Sequence, residues 1–202
     1  VKVTVNGKQC HASMPGLGNN AFRASMLFGT KADKAFGKKF NRVDNSFDHP
    51  VSSFEPTKKE PGVGGINILP GEDVFYIDCR LLPVYSIDQV LDEMNRVSRE
   101  VMDETGTTIT VETEFTEKTL HPTPSDSDIV KMLSYAIRQV TGMEPVTGGI
   151  GGGTCAALLR NHGFEVAVWE TIHNRAHSSD EYIMIKNLLT DCKVYATMFT
   201  GD

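Results

Sequence analysis

Residues 72–115 decide the fold, and they read EDVFYIDCRLLPVYSIDQVLDEMNRVSREVMDETGTTITVETEF. Apolar residues recur at helical spacing across residues 86–104, which predicts an amphipathic helix. Ser86 and Gln89 form a capping box that sets the start of this helix. The flanking segments, residues 74–82 and 108–115, are rich in β-branched and aromatic residues and predict strands. The stretch therefore predicts a helix between two strands.

The chain before this stretch repeats the pattern. Residues 1–5 alternate Val with polar residues and predict a strand. Asn6-Gly7 then predicts a two-residue hairpin turn, so we expect residues 9–13 to pair back on the first strand. The remainder predicts one helix and two strands, over residues 19–36, 51–56 and 66–82, with a turn at Pro70-Gly71 inside the last. The order β-α-β-β-α-β predicts a ferredoxin-like fold.

Residues 118–202 form a separate domain in this interpretation. The segment His121-Pro122-Thr123-Pro124 disfavours helix, so we place a boundary there between residues 1–117 and 118–202. The second domain predicts helices over residues 125–140, 154–161 and 181–199 and a buried strand over residues 164–169. It is α/β with too few strands to enclose a core alone.

The composition favours a globular protein and argues against nucleic-acid and membrane partners. Hydrophobic residues make up 40% of the 202 residues, and the net charge of −6 disfavours binding to phosphate backbones. No apolar run is long enough to span a bilayer. The four cysteines form no CxxC pair, so we expect reduced thiols, buried as small hydrophobes, in a cytoplasmic protein. The chain begins inside a strand pattern without an initiator Met, so we expect part of a longer protein.

Two segments of the second domain carry candidate chemistry. The glycine-rich run at residues 148–154 lacks the Lys of a P-loop, which leaves a flexible turn or a small-anion site ahead of a nucleotide site. His177 follows the predicted strand and precedes a helix whose expected capping box is Ser178 with Glu181. This position is the strand's C-terminal mouth, where ligands collect. From the residues alone, His177 is a metal ligand or a structural histidine, and His173 is a weaker candidate.

Three candidates lie in the first domain, and each has a simpler alternative. His11 ends the second predicted strand and is a surface histidine on position alone. Asn67 suits an ordinary turn. Asp78 and Arg80 share a face of one strand, which suits a cross-strand ion pair.

Five motifs nevertheless occur in one order: HASMP, GINILPGE, DCRLLP, GGGT and AHSSDEY. Together they resemble the zinc metallopeptidase family that includes acetylornithine deacetylase, succinyl-diaminopimelate desuccinylase, aminoacylase and glutamate carboxypeptidase. The resemblance runs over residues 1–200. It implies that residues 1–117 are a ferredoxin-like lid that mediates dimerisation and that residues 118–202 belong to an α/β catalytic domain.

The resemblance also implies residue roles. His11 is similar to the lid histidine that enters the partner subunit's active site and stabilises the oxyanion, and Asn67 resembles a second lid residue offered across the dimer. Arg80, Gly153 and Thr154 resemble the groups that hold the substrate carboxylate. His177 resembles the family's C-terminal zinc ligand.

The chain departs from the family at several positions. Cys155 stands where the family commonly has an acidic residue, and Glu170 where it commonly has Gly, which leaves the substrate open. The family's His-x-Asp motif and Glu-Glu pair do not occur in this sequence. We therefore expect the C-terminal part of the enzyme, inactive alone.

The expected activity of the full protein is hydrolysis of the amide bond in an N-acyl amino acid or short peptide. The resemblance implies two zinc ions per full-length subunit, replaceable by cobalt or manganese, and a homodimer formed through the lid. The alternative is a non-enzymatic ferredoxin-like dimerisation or ligand-binding module. RNA binding ranks last, because Phe75 and Tyr76 face opposite sides of the sheet and the charge is acidic.

Overall fold

The computed structural model describes residues 1–117, 122–173 and 175–201. The chain divides into a first unit, Val1–Thr116 with Gly149–Gly151, and a second unit, Glu117–Gly148 with Gly152–Asp202. His121, at the predicted boundary, lies outside the described residues, and the boundary stays a prediction. No helix within the described ranges is long and apolar enough to cross a membrane.

The first unit contains a four-stranded antiparallel sheet with strand order β3-β5-β1-β6, and a separate two-stranded ladder of β2 and β4. Its elements are β1 Lys2–Asn6, β2 Cys10–His11, α1 Ala21–Lys39, β3 Ser53–Lys59, β4 Ile68–Leu69, β5 Glu72–Arg80, α2 Ile87–Thr105 and β6 Thr108–Glu112. Apart from the small ladder, this is the predicted β-α-β-β-α-β order. The ferredoxin-like fold is confirmed.

One face of the sheet carries the core of the first unit. Val3 and Val5 are fully buried, and their spacing of two residues puts both on the same face of β1. The apolar sides of α1 and α2 pack in the same cluster through Phe28, Met94 and Val97, among others. The predicted capping box at Ser86 and Gln89 forms at the start of α2. Amphipathic patterning thus places both helices over the face that β1 presents.

The described residues of the second unit form three helices and a small core. The helices are α3 Asp128–Thr141, α4 Cys155–Asn161 and α5 Ile185–Thr200, and the core lies between α3 and α5, with Leu133, Ala136, Ile137 and Val194 buried. The strand predicted over residues 164–169 does not form. A strand requires a neighbouring backbone to pair with, and no described residue supplies one to this segment.

The start of the last helix also differs from the prediction. Helix α5 begins at Ile185, and Met184 caps it without a side-chain hydrogen bond. Ser178 does not form a capping box with Glu181, because its hydroxyl donates to the carbonyl oxygen of Arg175 at 2.6 Å. The side chains that suggested an early start stabilise a turn instead.

The predicted hairpin at Asn6-Gly7 is wrong. Strand β1 pairs with β5 and β6, and β2 pairs with β4. A two-residue hairpin turn needs positive φ, and neither Asn6 nor Gly7 has it. Gly7 is instead required for close packing, since a Cβ there would lie 2.1 Å from the backbone oxygen of Asn19.

This close approach predicts that Gly7→Ala destabilises the protein by about 1–3 kcal/mol, because the added methyl group must displace backbone atoms. Gly16→Ala is the matched control, since a Cβ at Gly16 meets no atom within 4 Å. Urea unfolding monitored by circular dichroism would measure both. Equal stability of the two variants would contradict the packing role of Gly7.

Candidate active site

The structure brings His11 and Asn67 together at one end of the first unit. His11 pairs with Ile68 in the ladder of β2 and β4. The next backbone N–H, that of Ala12, donates to the carbonyl oxygen of Asn67 at 2.8 Å. Both His11 and Asn67 are exposed. Two residues that lie 56 positions apart in the sequence are therefore brought together at one small ladder, His11 within it and Asn67 directly before it.

Ser13 determines which nitrogen of His11 carries the proton. The backbone N–H of Ser13 donates to Nδ1 of His11 at 3.2 Å, and the Ser13 hydroxyl lies 2.8 Å from the same nitrogen. A backbone N–H can only donate, so Nδ1 of the neutral ring is the acceptor and Nε2 carries the hydrogen. His11 therefore presents an Nε2–H donor to the solvent. Ser13 could not be singled out from the sequence, because a serine two residues after a histidine carries no general signal.

Arg80 lies at the other end of β5. Its Nε and Nη2 donate to the two carboxylate oxygens of Asp78 at 2.6 and 2.8 Å. The predicted ion pair forms, but along one strand and not across two strands. The guanidinium is half exposed. The structure thus does not bring Arg80 to His11 and Asn67 within one chain.

The glycine-rich run is partly used by the fold of the first unit. The Gly149 N–H donates to the carbonyl oxygen of Ser46 at 2.8 Å, and the Gly151 N–H donates to a carboxylate oxygen of Asp48 at 3.0 Å. A Cβ on Gly149 would lie 2.3 Å from the ring of Phe47. These amides are engaged by protein groups, which leaves less of the run for a ligand phosphate.

Gly153 and Thr154 precede the seven-residue helix α4. Thr154 occupies the N-cap position and makes no capping hydrogen bond with its side chain. A carboxylate oxygen of Glu117 lies 2.9 Å from the position of a Cβ on Gly153. A carboxylate of the protein therefore already lies against Gly153, the residue for which we predict a contact with a substrate carboxylate.

His177 lies in an exposed turn and not at the end of a strand. Its φ is 59°, an uncommon left-handed conformation for a residue other than glycine. Its backbone N–H donates to a carboxylate oxygen of Glu181 at 3.3 Å. His173 lies nearby in sequence with its ring 5.9 Å from the ring of Tyr182. The backbone of His177 is held locally, and its exposed imidazole suits a ligand role.

The described residues do not form a complete metal site. No group of three or more His, Cys, Asp or Glu side chains in the described ranges is arranged to hold a metal ion. Zinc takes about four ligands. The exposed imidazole of His177 fits the contribution of one ligand, and the other ligands of such a site would have to come from elsewhere.

The cysteines differ from the expectation that all four are buried. Cys155 and Cys192 are exposed, whereas Cys10 and Cys79 are half-buried. Burial raises the pKa of the Cys79 thiol to about 11, so this thiol stays neutral at physiological pH.

The chain matches known proteins over nearly its whole length. Residues 1–106 match the family model for a peptidase dimerisation domain. An uncharacterized metallohydrolase of Methanococcus maripaludis is 35% identical, covering 96% of this chain and 50% of that protein. A succinyl-diaminopimelate desuccinylase of Alkalilimnicola ehrlichii is 22% identical, covering 96% of this chain and 49% of that protein.

A solved structure supports the same fold. A tripeptidase from Staphylococcus aureus superposes with a TM-score of 0.65 at 20% identity, covering 98% of this chain and 49% of that one. The chain spans about half the length of the curated relatives that it matches.

The hydrogen bond from Ser13 predicts that neutral His11 is the Nε2–H tautomer, which ¹⁵N chemical shifts of the imidazole would identify. Ser13→Ala is a matched variant, because it removes the hydroxyl and keeps the backbone N–H, so the tautomer should persist. A ring that carries its hydrogen mainly on Nδ1 would contradict this geometry.

Proposed function

We propose that this chain, which belongs to the peptidase dimerisation-domain family, is the C-terminal part of a dinuclear zinc hydrolase. Its similarity to a metallohydrolase supports this proposal. The substrate is an N-acyl amino acid or a short peptide, and the bond cleaved is an amide. The names of the relatives support this class, since one is a metallohydrolase and another removes a succinyl group. Residues 1–202 are inactive alone in this proposal, because the general base and most metal ligands would lie outside them.

The observation that carries the proposal is the separation of Arg80 from His11 and Asn67. Strand β5 runs from Glu72 to Arg80, eight residue steps at about 3.3 Å each, or roughly 26 Å. His11 and Asn67 lie beyond the Glu72 end of this strand, because Gly71 accepts a hydrogen bond from Gly7 just after β1 ends. An N-acyl amino acid is too small to contact both ends of one lid. If both groups act on the substrate, they act in different active sites, and their separation therefore supports the proposed homodimer.

In this dimer, His11 acts on the substrate bound to the partner subunit. Its Nε2–H donates to the oxygen of the scissile carbonyl as negative charge develops there, a role suited to a fixed neutral donor. Asn67 contributes a second polar side chain from the same ladder and orients the acyl group. Exposure of both residues supports a role outside their own chain.

Arg80, Gly153 and Thr154 hold the carboxylate of the substrate. A guanidinium that already binds the Asp78 carboxylate with two hydrogen bonds has the geometry for this task. Glu117 lies 2.9 Å from the position of a Cβ on Gly153, so a substrate carboxylate that binds at the start of α4 has to replace the carboxylate of Glu117 there.

His177 supplies one imidazole ligand to a zinc ion, with cobalt or manganese as substitutes. The bound metal, when present, supplies Lewis-acid activation of water and of the carbonyl group. The hydrogen bond between the His177 N–H and Glu181 keeps the backbone of this turn in place. We further propose a cytoplasmic protein, because its four cysteines are free thiols.

The two histidines are expected to give opposite results in the full-length enzyme. His11→Ala should lower kcat by roughly 10²- to 10³-fold with zinc retained, since it removes one oxyanion donor. His177→Ala should lose metal from one site, and activity with it. Steady-state kinetics and elemental analysis measure both effects. Equal zinc loss in the two variants would make His11 a ligand or a structural residue, and unchanged kcat in His11→Ala would make it an ordinary surface histidine.

Mixed dimers test the action of His11 across subunits. A heterodimer of one His11→Ala subunit and one His177→Ala subunit contains one complete site, so it should recover up to about half the native activity per dimer. Sedimentation at micromolar concentration should show the dimer, and labelled subunits should show exchange. No recovery with exchange verified would mean that His11 acts in its own subunit. A monomer in sedimentation would favour the alternative, a binding module without catalysis between subunits.

A further inference from the structure

Three polar residues form a row along the buried side of α5. Asn187, Asp191 and Tyr195 are four positions apart, which places them above one another on a helix. Asn187 and Tyr195 are half-buried, and Asp191 is 8% exposed. We call these three residues the polar row of α5.

The polar row makes hydrogen bonds to the chain at Trp169 and Thr171, at the end of the segment over residues 164–169 and just beyond it. The Tyr195 hydroxyl donates to the carbonyl oxygen of Trp169 at 2.6 Å, and the Asn187 amide donates to that of Thr171 at 3.1 Å. The two carboxylate oxygens of Asp191 accept from the backbone N–H of Thr171 at 2.8 Å and from its hydroxyl at 2.6 Å. Thr171 therefore has three hydrogen bonds to one helix.

Asp191 holds Thr171 with a buried carboxylate, which is unfavourable in free energy. Burying a carboxylate costs free energy unless hydrogen bonds replace its water. Thr171 supplies both hydrogen bonds to this carboxylate, and no cation pairs with it in the part of the chain that the structure describes. A buried apolar residue would pack α5 at lower cost, so the interaction is best explained by a need to fix the position of Thr171.

Thr171 lies at the entrance to the turn that carries His177. The chain leaves the polar row at Thr171 and returns to α5 at Met184, its N-cap. At this point the backbone N–H groups of Asn187 and Leu188 donate to the carbonyl oxygen of Met184, at 2.9 and 3.2 Å, as the helix begins. Hydrogen bonds to the first turns of α5 thus hold the chain at Thr171, before the turn that carries His177, and at Met184, after it.

We propose that Asp191 and Asn187 are positioning residues that hold Thr171 ahead of the turn over residues 175–184 and so keep His177 in place for its role as a metal ligand. The inference rests on the proposed ligand role of His177. It also gives Thr171 a function: its hydroxyl and backbone N–H are the groups that Asp191 recognises. The row is visible in the sequence as polar residues at a spacing of four on the buried side of a helix.

Two variants of the full-length protein and one control test the proposal. Asp191→Asn keeps the shape and leaves only one acceptor oxygen, and Thr171→Val removes the hydroxyl alone. Asp128→Asn is the control, because Asp128 is a highly exposed residue at the start of α3. The measurements are hydrogen exchange of residues 172–184 and of α3, and zinc affinity by competition with a chelator.

We expect exchange of residues 172–184 to rise at least about tenfold in Asp191→Asn, and zinc affinity at one site to fall by roughly 10- to 100-fold, as for other residues that orient a ligand. Exchange in α3 should not change. Thr171→Val should shift both quantities in the same direction by less. Thr171→Ser, which restores the hydroxyl, should restore both.

Each other outcome overturns the proposal in an identifiable way. Faster exchange with unchanged zinc affinity would make the polar row structural only, as would equal loss of protection in α3. If Asp191→Asn does not fold, Thr171→Val gives the decision. If His177→Ala retains both metals, the proposed ligand role fails, and the exchange measurements still report whether the polar row holds the turn.

Discussion

Pairing of β1 with β5 on one side and β6 on the other is the constraint on which the first unit depends. This strand connects the beginning of the chain to segments about 70 and 110 residues later, and its buried valines form the surface on which both helices pack. The register sets Asn6 opposite Glu72. Residues 7–11 and 65–71 therefore leave the sheet at the same end, and His11 meets Asn67 there. A slip of one residue would turn Val3 and Val5 away from the helices and separate these two side chains.

Local patterns were sufficient for most of the first unit. Helix α2 could be predicted nearly to the residue, because the periodicity and the capping box at Ser86 both act within a few positions. The hairpin at Asn6-Gly7 failed because the pairing of β1 is decided by valines that must face the helices, a requirement with no local signature. The predicted strand over residues 164–169 is wrong for a related reason. Its apolar composition is typical of a buried strand, but the presence of a partner strand depends on the rest of the fold. His11, Asn67 and Arg80 could be singled out by resemblance, yet their distribution over two ends of the lid follows only from the register.

The two units hold the segments that carry His11 and His177 by different means. The ladder of β2 and β4 belongs to the backbone pairing of the first unit, so His11 is attached to its most buried strands through Gly7 and Gly71. The turn around His177 is attached to α5 through side chains. A single substitution can remove a side-chain hydrogen bond without loss of the fold. The hydrogen bonds of a backbone ladder do not depend on one side chain, so a single substitution rarely removes them. Single substitutions in α5 are therefore expected to change the turn near His177 more easily than single substitutions in the sheet change the position of His11.

Arg80 already binds the carboxylate of Asp78 with two hydrogen bonds, so a substrate carboxylate that binds Arg80 has to take the place of Asp78. A substrate carboxylate in the proposed position replaces one carboxylate by another, so the number of ion pairs does not increase and the released Asp78 returns to water. Only the difference in free energy between the two ion pairs of Arg80, with Asp78 and with the substrate, contributes to substrate affinity. Ion pairs of a half-exposed arginine are screened by solvent, so this difference is small. Anions with a lone carboxylate and no further contacts, such as acetate, should then compete weakly, while the remainder of the substrate decides retention. In the proposed role, Arg80 would therefore discriminate between whole substrate molecules more than it would attract anions in general.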